Sequence, residues 1–318
     1  MSTIAVIGAG VSGLTCAVTL AESGHRTVVF AEERRDTTSR AAAAIWFPYD
    51  AEPFERVIAW ARETYDVLKR LSRFPESGVS MIELKTFTRE QKAVIPDWAV
   101  QIGARRLRPG ELSLKGSARA GTKFRDGFAL VVPLTDTTIY LDYLANRFVR
   151  AGGRIEAQHL DMLDQVGGEF NAVVNCAGIG ARDLAGDSQL EPHRGQVVLV
   201  SRIPMSGAVV CDDMPLMYAV PRRADCLLGG TNTVSENSAP DSRDTAAILR
   251  ECSAVLGIHA PRILEARVGL RPYRRTGVRL ERMKLRDGRA VVHNYGHGGS
   301  GFTLSWGCAR EVCALVAT

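Results

Sequence analysis

Hydrophobic and polar positions run along this chain in two rhythms. Thr3-Ile4-Ala5-Val6-Ile7 is almost wholly apolar, the pattern of a strand buried on both faces. Residues 14–21 then place apolar side chains on one helical face, and Thr27-Val28-Val29-Phe30-Ala31 makes a second apolar strand that ends at Glu32-Glu33. Residues 52–74 repeat the helical rhythm through Val57, Ile58, Trp60, Ala61, Tyr65, Leu68 and Leu71, and Pro75 and Gly78 stop it. Strands are predicted at 81–87 and 127–133. Asp136 or Thr137 caps a helix carrying Ile139, Leu141, Leu144, Phe148 and Val149, Gly152-Gly153 ends it, and a strand begins at Arg154. Residues 170–176 form another buried strand. Between 88 and 126 the pattern is weak.

From about 194 to 231 the character changes. Short β-branched runs at 196–201, 217–220 and 226–228, the last two joined by the turn Pro221-Arg222-Arg223-Ala224-Asp225, predict an antiparallel sheet and a second domain built from discontinuous segments. A helix follows at 240–256, strands near 263–270, 279–283 and 290–295, and a last helix at about 303–316.

The opening strand–helix–strand unit carries Gly8-Ala9-Gly10-Val11-Ser12-Gly13 at its first turn, and carboxylates stand about 20 residues on, at Glu32 and Glu33. Gly8 permits the tight turn, Gly10 lets the backbone approach a pyrophosphate, and Gly13 lets helix and strand pack closely. The helix N-terminus offers free N–H groups to phosphates, and Glu32 or Glu33 can accept from a ribose. The same unit could keep only its packing role, and the motif does not separate NAD from FAD. Ala177-Gly178-Ile179-Gly180-Ala181, ending the 170–176 strand, fits a second close approach to a dinucleotide. Ala41 to Ala44, four small residues before an aromatic segment, read either as backbone passing close to something flat or as an alanine-rich helical turn.

Composition narrows the classes. The 318 residues suffice for two modest domains, and the net charge of +5 is spread along the chain, which favours anionic ligands and gives no nucleic-acid patch. Seven cysteines without a C-x-x-C predict buried free thiols in a reducing cytoplasm. His293 and His297 stand four apart but across a strand-like run and glycines, so no metal site is expected. No apolar run reaches a membrane span, the dinucleotide strand leaves no room for a signal peptide, and the C-terminus carries no peroxisomal address. An assembly of identical chains is compatible with the sequence.

A second glycine cluster, Gly296-His297-Gly298-Gly299-Ser300-Gly301, stands before the last helix. Its N–H groups can face an anionic part of a cofactor, or it is simply a sharp strand-to-helix turn. With the first glycine turn and Arg271-Pro272-Tyr273 it has the look of one site assembled from three segments. Arg274, Arg275 and Arg279 nearby also allow Arg271 to be an ordinary surface arginine, and Tyr218 an ordinary strand aromatic.

These residues resemble the D-amino acid oxidase family of flavoproteins. The resemblance runs from residue 2 to about 313, through Val6 to Gly13, Asp36-Thr37-Thr38-Ser39 to Ala44-Ile45-Trp46-Phe47-Pro48, Arg194-Gly195-Gln196, Gly269-Leu270-Arg271-Pro272 and His293 to Gly301. It implies an α/β fold with a Rossmann-like FAD-binding domain (residues 1–75, 135–195 and 285–318) and a mixed or antiparallel-sheet substrate domain (76–134 and 196–284). FAD would be held without a covalent link, by Gly8, Ala9, Gly10, Val11, Ser12, Gly13, Glu32, Glu33, Thr37, Thr38, Ser39, Ala44, Ile45, Trp46, Gly178, Gly298, Gly299, Gly301, Phe302 and Thr303. Arg271 would pair with a substrate carboxylate, Tyr218 would touch the same group, Gly299 would present its carbonyl to the amine, and Ser300 and Met214 would complete the substrate site.

The chemistry so implied is oxidation of a D-amino acid. A hydride leaves Cα for flavin N5, no side chain acts as acid or base, and the imine hydrolyses to a keto acid and ammonia. Molecular oxygen then takes the electrons to hydrogen peroxide. The sequence departs from family members of higher organisms at Met214, where they carry a second tyrosine on a lid; here the lid is short and the entrance apolar. That departure leaves open a glycine-oxidase-like reaction on an N-substituted glycine, as in a biosynthetic pathway. Outside the class stand an NAD(P)-dependent dehydrogenase and a binding protein that retains the fold.

Overall fold

The computed structural model describes residues 2–32, 37–49, 51–90, 92–112 and 124–318. Two sheets dominate. The first has six strands, in the order Arg279–Lys284, Ala290–Tyr295, Ala172–Asn175, Thr3–Ile7, Arg26–Ala31 and Arg154–Ala157. All pair in parallel except Arg279–Lys284, which runs antiparallel to its neighbour. The central strand Thr3–Ile7 buries Ile4, Ala5 and Val6 completely between two layers, as its unbroken apolar run requires. The helix Val11–Glu22 packs against the last helix, Gly301–Ala317, which packs in turn on Phe54–Leu71. That last crossing is close because Gly307 lacks a side chain, and a Cβ there would run into the Trp60 backbone.

The second sheet has nine strands. Its path is Thr233–Val234, Leu190–Ser201, Asp225–Gly229, Met217–Pro221, Ala208–Cys211, Val79–Thr88, Asp126–Thr135 and Arg105–Arg106, and Ile263–Arg274 pairs along Leu190–Ser201. Only Val79–Thr88 and Ala208–Cys211 pair in parallel. The helix Ser242–Leu256 covers one face, packing Ile248, Cys252 and Val255 on Val198, Met217, Ala219 and Leu228. Asp241 caps this helix by accepting from the N–H groups of Arg243 and Asp244, and Gly257 ends it at φ 65°. Asp136, rather than Thr137, caps Thr137–Arg150.

The structure redraws some sequence expectations. Arg279–Lys284 belongs to the six-stranded sheet, although the expected boundary at 285 grouped it with the other. Its pairing partner Ala290–Tyr295 takes it there, because an antiparallel strand is more easily reached through a tight turn. The weakly patterned 88–126 stretch holds a short helix, Asp97–Gln101, and the strand Arg105–Arg106. The alanine run divides: Thr38–Ala41 is a helical turn, and residues 42–44 are non-helical and line a cavity. Asp187 joins the two sheets by accepting from Arg274 Nε at 2.8 Å and from the Tyr295 hydroxyl at 2.9 Å. Six of the seven cysteines are buried free thiols and Cys313 is half-buried. No described helix is long and apolar enough to cross a membrane.

Candidate active site

One elongated cavity of about 530 Å³ runs between the sheets. At one end Gly8, Ala9, Gly10, Val11 and Ser12 form its floor, with Glu32 and His159 beyond them; at the other stand Tyr218, Arg271, His297, Gly298 and Gly299. Gly8 adopts φ 103° at the first turn, and a Cβ there would meet the Cys176 carbonyl oxygen at 2.6 Å. Gly13 does not line the cavity. A Cβ on it would overlap the Gly8 carbonyl, so it is the residue that lets helix and turn close up. Ser39 Oγ accepts from the Val11 N–H at 3.0 Å and so fixes the loop beside the helix start. The other first-turn N–H groups have no helical partner.

Thr37, Thr38, Ser39, Ala44, Ile45, Gly178, Gly301, Phe302 and Thr303 also line the cavity. Thr37 Oγ1 is buried there without a hydrogen-bond partner among the described residues. An orphaned hydroxyl, a backbone cradle that a Cβ would fill, free helix N–H groups and a carboxylate at the far end suit an extended dinucleotide. Glu33 lies outside the described residues. Glu32 Oε2 is 2.8 Å from His159 Nδ1, a neighbour that sequence reading missed, and this hydrogen bond leads the interactions that raise the His159 pKa above its ordinary value.

The late glycine cluster reaches the Arg271 strand through backbone. Gly298 N–H donates to the Pro272 carbonyl at 2.9 Å, and His297 bridges Tyr273. Thr303 Oγ1 donates to the Phe47 carbonyl and accepts from its N–H, which pins the 47–49 segment across the start of the last helix. Thus the three segments that the sequence marked do converge.

Arg271 lies over Gly195, with Nη1 donating to the Thr231 carbonyl at 3.0 Å. Among the described residues no other hydrogen bond occupies its guanidinium apart from an interaction with the Tyr218 hydroxyl, so donors remain for a planar anion. Burial pushes the Tyr218 phenol above its usual range, and the Arg271 charge opposes that shift. The Tyr218 ring rests on Gly229 and Gly230, where any Cβ would strike it. His297 is buried and neutral: burial lowers its pKa to about 4, and Nε2 donates to Asn294 Oδ1 at 3.0 Å.

Besides Gly13, three expected site residues are placed elsewhere. The Trp46 side chain is in the core, edge-on to Tyr65 and Trp98, with Nε1 donating to the Ala61 carbonyl at 2.9 Å. Ser300 does not line the cavity; its Oγ accepts from the Tyr49 N–H at 2.7 Å and donates to the Tyr49 carbonyl, a stitch between segments. Met214 is 82% exposed and does not line the cavity, whose apolar wall here is Leu216 and Val210. Tyr49 and Asp212, which the sequence reading did not single out, line this end. Strand alternation could have found Asp212, two residues beyond Val210 on the same face.

A model of the family described as FAD dependent oxidoreductase matches residues 3–315. The D-amino-acid oxidase of Rubrobacter xylanophilus is 42% identical over 316 residues, covering 98% of this chain and 94% of that protein. That of Streptomyces coelicolor is 39% identical, covering 99% and 96%. The crystal structure of glycine oxidase from Geobacillus kaustophilus superposes with a TM-score of 0.81 at 18% identity, covering 100% of this chain and 95% of that one, a likeness of fold. With a matched region that spans both sheets and both ends of the cavity, the chain belongs to the FAD-dependent oxidoreductase family and takes FAD as its cofactor.

Proposed function

We propose that the protein oxidises the amine of a D-amino acid to the imine, which water converts to a keto acid and ammonia. The observation that carries this reading is the placement of Arg271 and Tyr218 on the wall of the cavity that begins at the Gly8–Gly13 turn. A guanidinium fork with free donors and a phenol beside it hold a carboxylate in one orientation. The relatives named D-amino-acid oxidase, alike over nearly the whole chain, support the D-configured substrate. When bound, FAD supplies the two-electron acceptor for the Cα hydride, and molecular oxygen takes the electrons on to hydrogen peroxide.

In this reading the six-stranded sheet carries the FAD-binding side and the nine-stranded sheet the substrate side. Glu32 would hold the adenosine end of FAD, and Gly8 to Ser12 with the N–H groups of the first helix would hold its pyrophosphate. Gly298, Gly301, Phe302 and Thr303 would hold the flavin end. The Gly299 carbonyl accepts from the substrate amine, and Arg271 with Tyr218 fixes the carboxylate, so that Cα is presented to the cofactor. His297 keeps its Nε2 proton on Asn294 and takes no part in proton transfer.

An anaerobic screen tests this. Addition of D-amino acids to the purified holoenzyme is expected to bleach the visible flavin absorption. Bleaching by glycine, sarcosine or longer N-alkyl glycines with none by D-amino acids overturns the reading in favour of secondary-amine oxidation. No bleaching by either group removes both.

A further inference from the structure

We infer that Asp212 selects, within the oxidation proposed above, D-amino acids whose side chain ends in a positive charge, such as diamino acids of ornithine or lysine length. The inference rests on that proposed reaction and adds the substrate class to it.

The argument starts from register. Val210 on Ala208–Cys211 pairs with Tyr218 on Met217–Pro221, and Cys211 pairs with Met217. Alternation turns Cys211 and Met217 into the core under the helix Ser242–Leu256. Val210, Tyr218 and Val220 face the cavity, and so do Leu216 and Asp212, where the same register continues past the strand end. The wall therefore has one row made of Val210 and Tyr218 and a next row made of Leu216 and Asp212. The rows stand roughly 6.8 Å apart, two residues at about 3.4 Å each.

A carboxylate anchored at Arg271 and Tyr218 leaves the substrate side chain to run along this wall. Three or four methylenes pack on Val210, Leu216 and the Tyr218 ring, and the terminal ammonium then reaches the Asp212 row. A neutral chain of the same length leaves the carboxylate there without a counter-charge.

Asp212 is free to take that role and is held in place to do so. It has no hydrogen bond or ion pair among the described residues, whereas its neighbour Asp213 is engaged through one carboxylate oxygen. Asp213 Oδ2 accepts from Thr88 Oγ1 at 2.7 Å and from the Arg89 N–H. Arg89 Nη1 donates to the carbonyls of Asp213 at 2.6 Å and Pro215 at 3.1 Å, and Nη2 pairs with Glu251 at 2.7 Å. Arg89 Nη1 also donates to Cys211 Sγ at 3.0 Å, so the turn is clamped at both sides of Asp212. Asp212 is open to solvent on the cavity wall, and partial desolvation there with the Asp213 charge pushes its carboxyl up to about 6, so that it is ionised at pH 8 and gains from a neighbouring cation. Arg271, committed to the substrate carboxylate, forms no ion pair with it.

The test compares kcat/KM for D-lysine, D-ornithine, D-norleucine and D-glutamate on the holoenzyme at about pH 8, where Asp212 is ionised and the lysine side chain still protonated. D-Lysine is expected to exceed D-norleucine by about tenfold or more. In Asp212→Asn the lysine-to-norleucine ratio falls by about the same factor, and D-glutamate rises relative to D-norleucine. A parent enzyme that oxidises D-norleucine as well as or better than D-lysine overturns the inference and leaves the D-amino acid reading standing. So does an Asp212→Asn protein with parental flavin absorption and an unchanged ratio. If that variant fails to hold FAD, the parental ratio and Asp212→Ser decide. Absence of turnover with every D-amino acid removes the underlying reading, and the inference with it.

Discussion

Arg271 and Gly195 share one volume: the guanidinium lies across residue 195 where a methyl group would have to go. Gly195 pairs with Gly269 across the two long strands, and Arg271, two residues further on, leans diagonally back over it. The glycine therefore sets where the substrate-binding charge stands. Gly195→Ala is expected to displace the guanidinium and raise KM for the amino acid by roughly tenfold or more, the cost of about 1.4 kcal/mol of binding. The bound flavin, held elsewhere, stays in the protein. Steady-state kinetics together with the flavin-to-protein absorbance ratio check this. A parental KM in a variant that retains FAD removes Gly195 from the argument.

Tyr218→Phe separates the hydroxyl from the ring. The ring keeps its seat on Gly229 and Gly230. What is lost is a hydrogen bond to an anionic carboxylate, about 1.5–3 kcal/mol, or roughly ten- to a hundredfold in kcat/KM. The loss is expected mainly in KM, because the carboxylate is bound in the ground state as well. A fall confined to kcat would show that the hydroxyl acts on the reacting bonds instead.

Gly13→Ala tests the other end. Its Cβ would collide with the Gly8 carbonyl, which is backbone and cannot rotate away. The turn must open, and the helix N–H groups move off the phosphates. The expected protein is colourless or nearly so, with FAD affinity reduced at least about tenfold, measured by fluorescence titration of the apoprotein. Stoichiometric flavin after dialysis would contradict the close-packing role.

What could be read from the sequence followed the range of the interactions. Gly8, Gly10, Gly13 and Glu32 belong to one βαβ unit, so their spacing alone displayed their geometry. Arg271 and the Gly296–Gly301 cluster had the look of one site, but only the family likeness told Arg271 from a surface arginine, because a strand bridge near His297 brings the two together across the fold. Trp46 was misplaced because the cavity and the core alternate along one short segment, and its side chain took the core side. Ser300 sits among glycines that suit a ligand, yet its hydroxyl ties down Tyr49. His159 and Tyr49 come from loops, and nothing local marks them. Asp212 was legible in principle, by counting two from Val210.

Met214 and Leu216 give opposite expectations although both are apolar and two residues apart. Met214 is exposed to solvent, whereas Leu216 lines the cavity. Met214→Tyr, which a lid position would make decisive, is expected to change kcat/KM by less than about threefold for each substrate, as surface changes do. Leu216→Ala widens the wall and is expected to shift the profile toward bulkier side chains. Ranking a panel of D-amino acids with each variant decides between them; a Met214→Tyr profile reordered beyond that of Leu216→Ala would restore the lid.

The two buried histidines make stability depend on acid in a defined window. Burial lowers the pKa of His297 to about 4, and burial with the Arg279 charge does the same for His293. Their ordinary value is about 6.5. Between those values the unfolded chain binds protons that the folded one refuses, so stability rises with pH. Each histidine contributes a slope of up to about 1.4 kcal/mol per pH unit. Above about pH 6.5 both states hold the neutral ring and the term vanishes; below about pH 4 both are protonated and the loss is complete. Urea unfolding in excess FAD, which holds the ligand linkage fixed, is expected to show a plateau above that window and a decline through it. His297→Gln keeps a donor for Asn294 and removes one titrating ring. Its decline is expected to be shallower by about 1.4 kcal/mol per pH unit, and an identical slope would mean that His297 takes up its proton in the folded protein at its ordinary pH.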